Sequence, residues 1–553
     1  MNRLIPLLFL VLTFSCKEKG QIEKKEVILW QPYNDSAEVA ANADHENERM
    51  RYKLIQSKVL DKNTVFRPLY HEVSNLSDAD YESLKPLILE QNILTLQKHI
   101  KDGKLTYESL VLFYLYRIYK YELDNTTTLN TVIALNKNVV EEAREKDKAI
   151  ANGLDSVHPI YGMPILLKDN INTLGMKTTA GAIALMNNEV ADAFIVKRLK
   201  ENGALILGKV NLSEWANYLC NCPNGQSAVG GQTLNPYGRR VFDTGGSSAG
   251  SGTSMAANYA VAAVGTETSG SILSPSSQNS IVGLKPTIGL LSRSGIVPIS
   301  STLDTPGPMT KNVTDNAILL SAMLGKDDED SKSVEGEILF VSVPQVTLEG
   351  KRFGAMKNLM EGDSIYKATI DKMKTIGAEI IEFTPSEVKM DGFLSILNID
   401  MRKDLPEYLR TKVKDKKAIK ITSVADAVNF NASDSLVRIP YGQARFLGIL
   451  VDSTSAERLE KIKTTLEKNG RAFFDTAMDK HKLDAILSIN NYHASYAAVA
   501  KYPALTVPMG YKKTGEPISL TFIGKQFKEV DLLRLGAAFE KEFRFRKMPK
   551  GYD

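Results

Sequence analysis

Cysteine is scarce in this chain, whose 553 residues contain only three, at positions 16, 220 and 222. Cys220 and Cys222 cannot build a tetrahedral zinc site by themselves, and no histidine lies close to them in the sequence. A disulfide across a single intervening residue would be strained, so we predict two free, buried thiols at these positions. The fold is therefore not expected to depend on a disulfide, and no metal or other cofactor is predicted.

An excess of charge of one sign is missing as well. The chain has 69 Lys and Arg against 65 Asp and Glu, which gives a formal net charge of +4, and the two signs are interspersed. Proteins that bind nucleic acids usually carry clustered basic residues. The composition therefore indicates an ordinary solvated surface and argues against a nucleic-acid partner.

The first 16 residues predict an export signal. A basic residue precedes the apolar run 4–14, which is too short to span a bilayer, and the small residue Ser15 precedes Cys16. Residues 12–16 resemble a loose bacterial lipoprotein box, with Thr13 at the position where leucine is usual. We expect cleavage after Ser15, a lipid on Cys16, and a periplasmic or outer-membrane-anchored protein. The alternative is an unlipidated signal peptide with an incidental cysteine.

Residues 17–75 are rich in Lys, Glu, Asp and Asn, and we predict a polar N-terminal tether or extension there. Beyond it, helical and strand patterns alternate. A helix predicted over 192–202 precedes a buried strand over 204–208, and a helix over 364–376 precedes a strand over 378–383. This alternation predicts a layered α/β fold with a largely parallel sheet.

The stretch 245–275 holds seven serines among many glycines, with the small, apolar run 255–265 between two serine clusters. The run predicts a short buried helix followed by a buried strand, which would bring both clusters to one end of the unit. Glycine permits backbone conformations that let several N–H groups converge on one point. The stretch is therefore a candidate oxyanion hole.

Other interpretations of the stretch 245–275 remain open. A flexible Ser/Gly linker would lack the embedded apolar run. The letters G-x-S-x-G at 246–250 match a nucleophile elbow with Ser248 as nucleophile, but of the six histidines only His481 and His493 follow it. A phosphate-binding loop is disfavoured because no Gly-Lys-Ser/Thr ends the run.

Lys168 ends the apolar run 165–167, which predicts a lysine on a buried strand. Making a lysine half neutral at pH 7 requires a pKa shift of roughly three units, about 4 kcal/mol, which burial supplies. A neutral lysine can act as a base toward a serine. The alternative is a lysine that extends its ammonium group to solvent from the end of a strand.

The motifs at 162–171, 245–251 and 265–275 resemble, in order and spacing, those of the amidase signature family. The resemblance runs from about residue 90 to 545 and is weakest over about 330–480. It implies an α/β/α layered fold with a large mixed, mostly parallel central sheet. It also implies one catalytic domain over 76–553, with a variable middle portion at about 330–480. Further matching segments lie at 282–290, 303–308, 502–508 and 520–524.

Carried over position by position, the resemblance implies a Ser-Ser-Lys triad. Ser271 would be the nucleophile, Ser247 the bridging serine after a cis peptide bond, and Lys168 the base. The oxyanion hole would consist of the main-chain N–H groups of Thr268, Ser269, Gly270 and Ser271. The family chemistry needs no metal or cofactor.

The resemblance implies an amidase that hydrolyses carboxamide C–N bonds to a carboxylic acid and ammonia through an acyl-enzyme. The sequences at 211–217 and 230–236 are similar to those of exported members of the family that resemble peptide amidase. The expected substrates are therefore C-terminal peptide amides or small acyl amides. No obligatory protein partner is expected. Three alternatives stay open: a subunit of an amidotransferase that acts on charged tRNA, an esterase with Ser248 as nucleophile, and a lipoprotein that only binds its ligand.

Overall fold

The computed structural model describes residues 27–336 and 346–553. The predicted export signal and Cys16 lie outside these ranges. Within the described residues, eleven strands form one sheet in the order β1-β3-β2-β6-β8-β7-β12-β13-β11-β9-β10, and a separate hairpin pairs β4 with β5. The strands are β1 (Val132–Leu135), β2 (Pro164–Lys168), β3 (Leu205–Val210), β4 (Gln226–Ser227), β5 (Gly231–Gln232), β6 (Ala262–Glu267), β7 (Val282–Lys285), β8 (Thr305–Thr310), β9 (Arg352–Met356), β10 (Glu379–Phe383), β11 (Ala485–Ile489), β12 (Ala504–Tyr511) and β13 (Pro517–Ile523).

Helices connect and cover these strands. In the described part of the chain, three short 3-10 helices lie at Glu48–Met50, Arg67–Leu69 and Ile183–Leu185. The α-helices are α1 (Ser36–Ala40), α2 (Lys62–Phe66), α3 (Tyr70–Ser74), α4 (Asp78–Ile88), α5 (Ile93–Lys101), α6 (Tyr107–Glu122), α7 (Val139–Ala151), α8 (Phe194–Glu201), α9 (Glu214–Asn217), α10 (Ala249–Ala256), α11 (Leu273–Gln278), α12 (Val313–Met323), α13 (Lys357–Gly362), α14 (Ser364–Thr375), α15 (Phe393–Thr411), α16 (Val424–Ala432), α17 (Ser435–Arg438), α18 (Ala444–Val451), α19 (Ala456–His481), α20 (Ala494–Ala500) and α21 (Glu529–Phe543).

The predicted large mixed sheet is confirmed, but the prediction that it is mostly parallel is wrong. Of the ten neighbouring pairs in the described sheet, four are parallel: β2–β3, β2–β6, β9–β10 and β9–β11. The other six are antiparallel. Helix-strand alternation indicated the parallel part correctly. However, β8 follows β7, and β13 follows β12, through connections without a crossover helix, and such strands pair antiparallel.

Strands β2, β3 and β6 are buried at every residue. A strand buried on alternate residues has one covered face, whereas these three are covered on both. Helices α10 and α12 supply part of that cover, against β6 and β8. The centre of the sheet is therefore dry, and a polar side chain on these strands needs a partner inside the protein.

A second apolar cluster lies among the helices of the middle portion. Helices α15, α16, α18 and α19 contribute to it, with Met401, Leu405, Phe446 and Leu466 among its members, and residues near Trp215 complete the cluster. Helix α15 packs against both α18 and α19. These helices lie within residues 393–481, and they pack beside the sheet, where α19 contacts β11.

The predicted polar tether is wrong for residues 27–75, because this segment packs on the main core. Tyr52, Ile55 and Phe66 are buried there and belong to the same apolar cluster as the sheet. Asn63 fixes the extended start of the segment by accepting the N–H of Trp30 at 3.1 Å. The average polarity of the segment hid a small number of well-spaced apolar residues, which decide its position.

The prediction of two free thiols is also wrong, since Cys220 and Cys222 form a disulfide. Their Cα atoms lie 5.1 Å apart, inside the range that disulfides span, although one residue separates them. Both are buried, as predicted. Within 27–336 and 346–553, no helix is long and apolar enough to cross a membrane, and no cluster of His, Cys, Asp and Glu could hold a metal ion.

Candidate active site

Lys168 is the last residue of β2, and its side chain is completely buried. Strand β2 pairs in parallel with β3 on one side and β6 on the other. Because the carboxyl ends of parallel neighbours meet at one edge of a sheet, the segment after β6 begins beside the end of β2. The sheet order therefore brings Lys168 next to the serine-rich segment 268–271.

Within the described part of the chain, the amine of Lys168 has three oxygen neighbours, none of them a carboxylate. Its Nζ lies 2.7 Å from Ser247 Oγ, 2.8 Å from Thr266 Oγ1 and 3.0 Å from the Thr266 carbonyl oxygen. A neutral amine has two N–H donors and one lone pair. Three oxygens can accept the three N–H groups of the ammonium form. In the neutral form, both N–H groups can donate to the Thr266 oxygens while the lone pair accepts the hydroxyl of Ser247, so the geometry accommodates both protonation states.

The environment of Lys168 disfavours its charged form. Burial lowers the pKa of the ammonium group from its ordinary value to about 7, although the negative charges of Asp304 and Glu267 act in the opposite direction. Near neutral pH a substantial fraction of Lys168 is therefore an uncharged amine. The alternative of a lysine reaching solvent is wrong, because the side chain has no exposed surface.

The two serine clusters meet, as the sequence predicted. Helix α10 starts just after Ser247 and runs toward β6, which returns to the same end of the unit, and the N–H of Ser248 donates to the Ser271 carbonyl at 3.2 Å. The Gly246–Ser247 peptide bond is cis. A Cβ on Gly245, whose φ is +63°, would lie 2.7 Å from the main chain of Pro275, so only glycine allows this approach.

Ser271 lies at the outer end of this group. Lys168 and Ser247 have no exposed surface, whereas Ser271 is 8% exposed. The segment 268–271 joins β6 to α11, and among the described residues its four main-chain N–H groups donate no hydrogen bond to another protein group. Four N–H groups that have no acceptor in the described part of the protein and lie next to a serine hydroxyl are what an oxyanion hole requires.

A cleft of about 260 Å³ opens beside this segment. Thr266 and Thr268 form part of its lining, together with the apolar stretch 296–299 and the ring of Tyr408. Arg293 also lines the cleft, and its Nε donates to Asp330 Oδ2 at 2.8 Å. The cleft therefore combines an apolar patch at 296–299 with polar and charged side chains, among which five carboxylates face two cations. They are Asp304, Glu329, Asp330, Asp404 and Glu407, with Arg293 and Lys412 as the cations.

Ser248 does not fit the role of an elbow nucleophile. Its Oγ is buried, donates to the Thr266 carbonyl at 3.1 Å and accepts the Thr266 N–H at 3.2 Å. His493, the histidine that this alternative needs, lies with its Nδ1 2.6 Å from Ser488 Oγ. Both groups are occupied inside the protein, so their geometry does not favour an esterase built on Ser248.

Three residues of the site were missed at the level of sequence. Thr266 holds the Lys168 amine through two oxygens. The carboxylate of Asp304 accepts the hydroxyl of Thr268, and the carboxylate of Glu267 accepts the N–H groups of Ile272 and Leu273, directly after the segment 268–271. Glu267 ends a fully buried, mainly apolar strand. A carboxylate in that position needs an internal partner, which was the available signal. Asp304 follows a polar, partly exposed stretch at 300–303, which carries no such signal.

A family model described as Amidase matches residues 109–488, more than half of the chain. The chain belongs to the amidase signature family. This amidase is 36% identical over 486 residues to a probable amidase of Arabidopsis thaliana, with 84% of the chain and 92% of that protein covered. The predicted family is thereby confirmed, and so is the predicted class of enzyme, a hydrolase of C–N bonds other than peptide bonds.

Solved structures show the same fold. An amidase family protein from Bacillus anthracis aligns with a TM-score of 0.84 at 36% identity, covering 90% of this amidase and 99% of that chain. The native peptide amidase from Stenotrophomonas maltophilia aligns with a TM-score of 0.78 at 34% identity, over 83% and 98%. Among curated relatives, a glutamyl-tRNA(Gln) amidotransferase subunit of Prochlorococcus marinus is 29% identical over 497 residues, covering 82% and 98%.

Proposed function

We propose that this amidase hydrolyses primary carboxamides, at the C-terminus of peptides or on small acyl compounds, to a carboxylic acid and ammonia through an acyl-enzyme on Ser271. The observation that carries the proposal is the fully buried Lys168, whose Nζ lies 2.7 Å from Ser247 Oγ and contacts no carboxylate among the described residues. The likeness to a peptide amidase supports the substrate class.

The reaction starts with a proton relay from the outer serine to the inner lysine. Neutral Lys168 takes the hydroxyl proton of Ser247, and Ser247 takes the hydroxyl proton of Ser271. The oxygen of Ser271 forms a bond to the carbonyl carbon of the substrate, and the carbonyl oxygen becomes an anion. The N–H groups of 268–271 stabilise that anion, because they have no other acceptor in the described part of the protein.

The same relay then runs in reverse. The proton held by Lys168 returns through Ser247 to the departing nitrogen, so the C–N bond breaks and ammonia leaves an acyl group on Ser271. A water molecule then gives a proton to the relay, and its oxygen attacks the acyl carbon. The bond between that carbon and the Ser271 oxygen breaks, the relay returns the proton to Ser271, and the acid leaves. Each proton that the relay takes up is given back within the same half of the cycle.

The proposal is tested with ammonia release from peptide amides, aliphatic amides and aromatic amides. Ser271→Ala is expected to remove turnover while the folded structure persists, and Ser274→Ala serves as the control, because Ser274 lies nearby on α11 and has no role in the proposed relay. Hydroxylamine added to the wild type should intercept the acyl group as a hydroxamate. Full activity of Ser271→Ala, or its loss only in Ser248→Ala, would overturn the assignment.

An amidotransferase subunit is the second candidate, because such subunits are among the relatives. The two candidates differ in what the isolated chain does. An amidase that acts alone releases ammonia from simple amides without any partner, and this is the expected result. Activity that appears only with further subunits and a charged tRNA would favour the amidotransferase.

We also propose that the protein is exported and carries a lipid on Cys16, because residues 1–16 combine a basic start, a short apolar run and a small residue before the cysteine. Mass spectrometry of the N-terminal peptide from the membrane fraction tests this proposal. A diacylglyceryl-modified Cys16 is the expected result. An unmodified N-terminus generated by cleavage at another position would refute it.

A further inference from the structure

Two carboxylates hold the segment 268–271 from its two ends. At one end, Glu267 Oε2 accepts the N–H groups of Ile272 and Leu273 at 2.7 and 3.0 Å. At the other end, Asp304 Oδ1 accepts the hydroxyl of Thr268 at 2.6 Å. The segment is thus fixed by groups outside it, while its own main-chain N–H groups have no acceptor among the described residues.

Glu267 acts within its own strand-to-helix connection, but Asp304 acts across the site. Its second oxygen, Oδ2, accepts the N–H groups of Ile299 and Ser300 at 2.8 and 2.9 Å. Both residues line the cleft, as does Asp304 itself. A single carboxylate therefore joins the segment 268–271 to residues 299 and 300 in the lining of the cleft.

The connection continues into the helical middle portion. Ser300 Oγ donates to Asp400 Oδ2 on α15 at 2.6 Å, and Asp400 Oδ1 lies 3.0 Å from Lys463 Nζ on α19. This chain of polar contacts is buried or half-buried along its length. Ser300, one of the two residues whose N–H groups Asp304 binds, is therefore itself held by α15, which α19 contacts in turn. Asp304 thus fixes the segment 268–271 to a part of the protein that is well anchored.

Resting on the proposed function, we propose that Asp304 is a positioning residue of this amidase: by binding Thr268 and the cleft wall at once, it directs the N–H groups of 268–271 toward the substrate carbonyl oxygen. The oxyanion exists only in the transition state and the intermediates. Loss of the positioning contact is therefore expected to lower kcat and to leave KM nearly unchanged.

The charge of Asp304 gives the proposal a second, independent consequence. Asp304 and Glu267 are the two charged groups that raise the pKa of Lys168 against the effect of burial. Burial raises the pKa of Asp304 itself to about 6, and the positive charge of Arg293 opposes this shift. Asp304 is thus largely ionised at pH 7, and its neutralisation should move the acid limb of the activity profile to lower pH.

The hydroxyl contact is tested by two variants of Thr268. Thr268→Val keeps the shape of the side chain but has no donor for Asp304, and we expect kcat to fall about 10- to 100-fold with KM changed less than about threefold. Thr268→Ser keeps the hydroxyl and should recover most of that loss. Equal kcat in the Val and Ser variants, or a loss confined to KM, would overturn the proposal.

The carboxylate is tested by Asp304→Asn, which has one acceptor oxygen where two are needed and carries no charge. We expect a lower kcat together with an acid limb of kcat/KM at lower pH than in the wild type. The matched control is Asp315→Asn, because Asp315 is a buried carboxylate whose pKa burial also raises to about 6. It accepts the N–H of Ile93, is not part of the cleft lining, and is not among the charges that act on the pKa of Lys168. An acid limb unmoved in Asp304→Asn, or moved equally in the control, would contradict the proposal.

Hydrogen exchange separates a failure of this inference from a failure of the proposed function. The reporters are the amides of Ile272 and Leu273, which donate to Glu267 at 2.7 and 3.0 Å at the end of the segment, because the N–H groups of 268–271 have no hydrogen bond to lose in the described part of the chain. These two amides should exchange faster in Thr268→Val and Asp304→Asn than in the wild type and the Asp315→Asn control, whatever substrate the enzyme prefers. Unchanged exchange would refute the positioning role even in an active enzyme. Failure of the proposed function would instead appear as a wild type that forms no hydroxamate.

Discussion

Lys168 and Lys209 stand on neighbouring strands, both completely buried, yet their surroundings differ in one respect. Lys209 Nζ lies 3.2 Å from Asp169 Oδ1, and it also donates to the Ile171 carbonyl at 2.6 Å. Among the described residues, Lys168 contacts only neutral oxygens, from Ser247 and Thr266. Burial lowers the pKa of both ammonium groups, but only Lys209 has a carboxylate in contact that opposes the shift.

The partner of a buried lysine, rather than burial itself, therefore decides its role. A lysine paired with a carboxylate keeps its charge and acts as a structural ion pair. A lysine that faces hydroxyl groups gives up its proton near neutral pH and becomes a base. Both residues end or follow apolar runs, so under the proposed function the same local pattern serves two purposes in this chain.

The largest expected effect comes from Lys168→Met, which keeps the apolar stem and removes the amine. Activity should fall about 10²- to 10⁴-fold, because the variant lacks the base that takes the proton of Ser247. The free energy of unfolding should change little, because the substitution leaves no contacting charged group without its partner among the described residues. Ammonia release and thermal unfolding of the same preparation check both statements, and a variant that retains more than about a tenth of wild-type kcat would exclude Lys168 as the base.

Lys209→Met makes the same substitution at the lysine that contacts a carboxylate. It should lower the stability of the protein and leave its activity nearly unchanged. Removing one member of a buried ion pair leaves Asp169 as an unpaired buried charge, which costs about 3 to 5 kcal/mol in the free energy of unfolding. The kcat of the folded fraction should stay within about tenfold of the wild type. Denaturant titration measures the first quantity, and a loss below about 1 kcal/mol would show that the ion pair has no structural role.

Local sequence patterns were sufficient to predict that Lys168 is buried, but not which residue it contacts. The apolar run 165–167 predicted that Lys168 is buried, and the alternation of helices and strands predicted the parallel pairs around β2. Ser247, whose hydroxyl contacts Lys168 from 79 positions away, came from the family resemblance and from no local pattern. Contacts between distant segments depend on strand order and register, which no single stretch encodes.

The errors have the same physical origin. Strands β7, β8, β12 and β13 are buried runs whose composition does not depend on their direction, so the antiparallel part of the sheet was not foreseen. The contact between Thr268 and Asp304 joins residues 36 positions apart and depends on how β6 and β8 pair. Residues 27–75 were predicted as a tether because mean polarity was given more weight than the positions of the few apolar side chains.

The pH dependence of activity gives a third, intermediate effect. Because the base must be neutral, kcat/KM should fall as the pH drops through the pKa of Lys168 at about 7, by about tenfold for each further pH unit. The sign follows from protonation, which removes the lone pair of the base, whereas burial sets the pH at which this happens. Lys209→Met should keep this acid limb in place, and a wild-type profile flat from about pH 8 to 5 would be incompatible with a lysine base.

The smallest effect is expected when the second charge of the ion pair is removed as well. Asp169→Asn added to Lys209→Met takes away the unpaired carboxylate, while its amide oxygen can still accept the N–H of Thr179, which Asp169 Oδ2 binds at 3.1 Å. The double variant should therefore be more stable than Lys209→Met by about 1 to 3 kcal/mol. It should not reach the wild type, because the Ile171 carbonyl loses the Lys209 donor in both variants. Denaturant titration of the four proteins of the cycle measures the coupling, and strictly additive losses would mean that Lys209 is held by its neutral oxygens and not by Asp169.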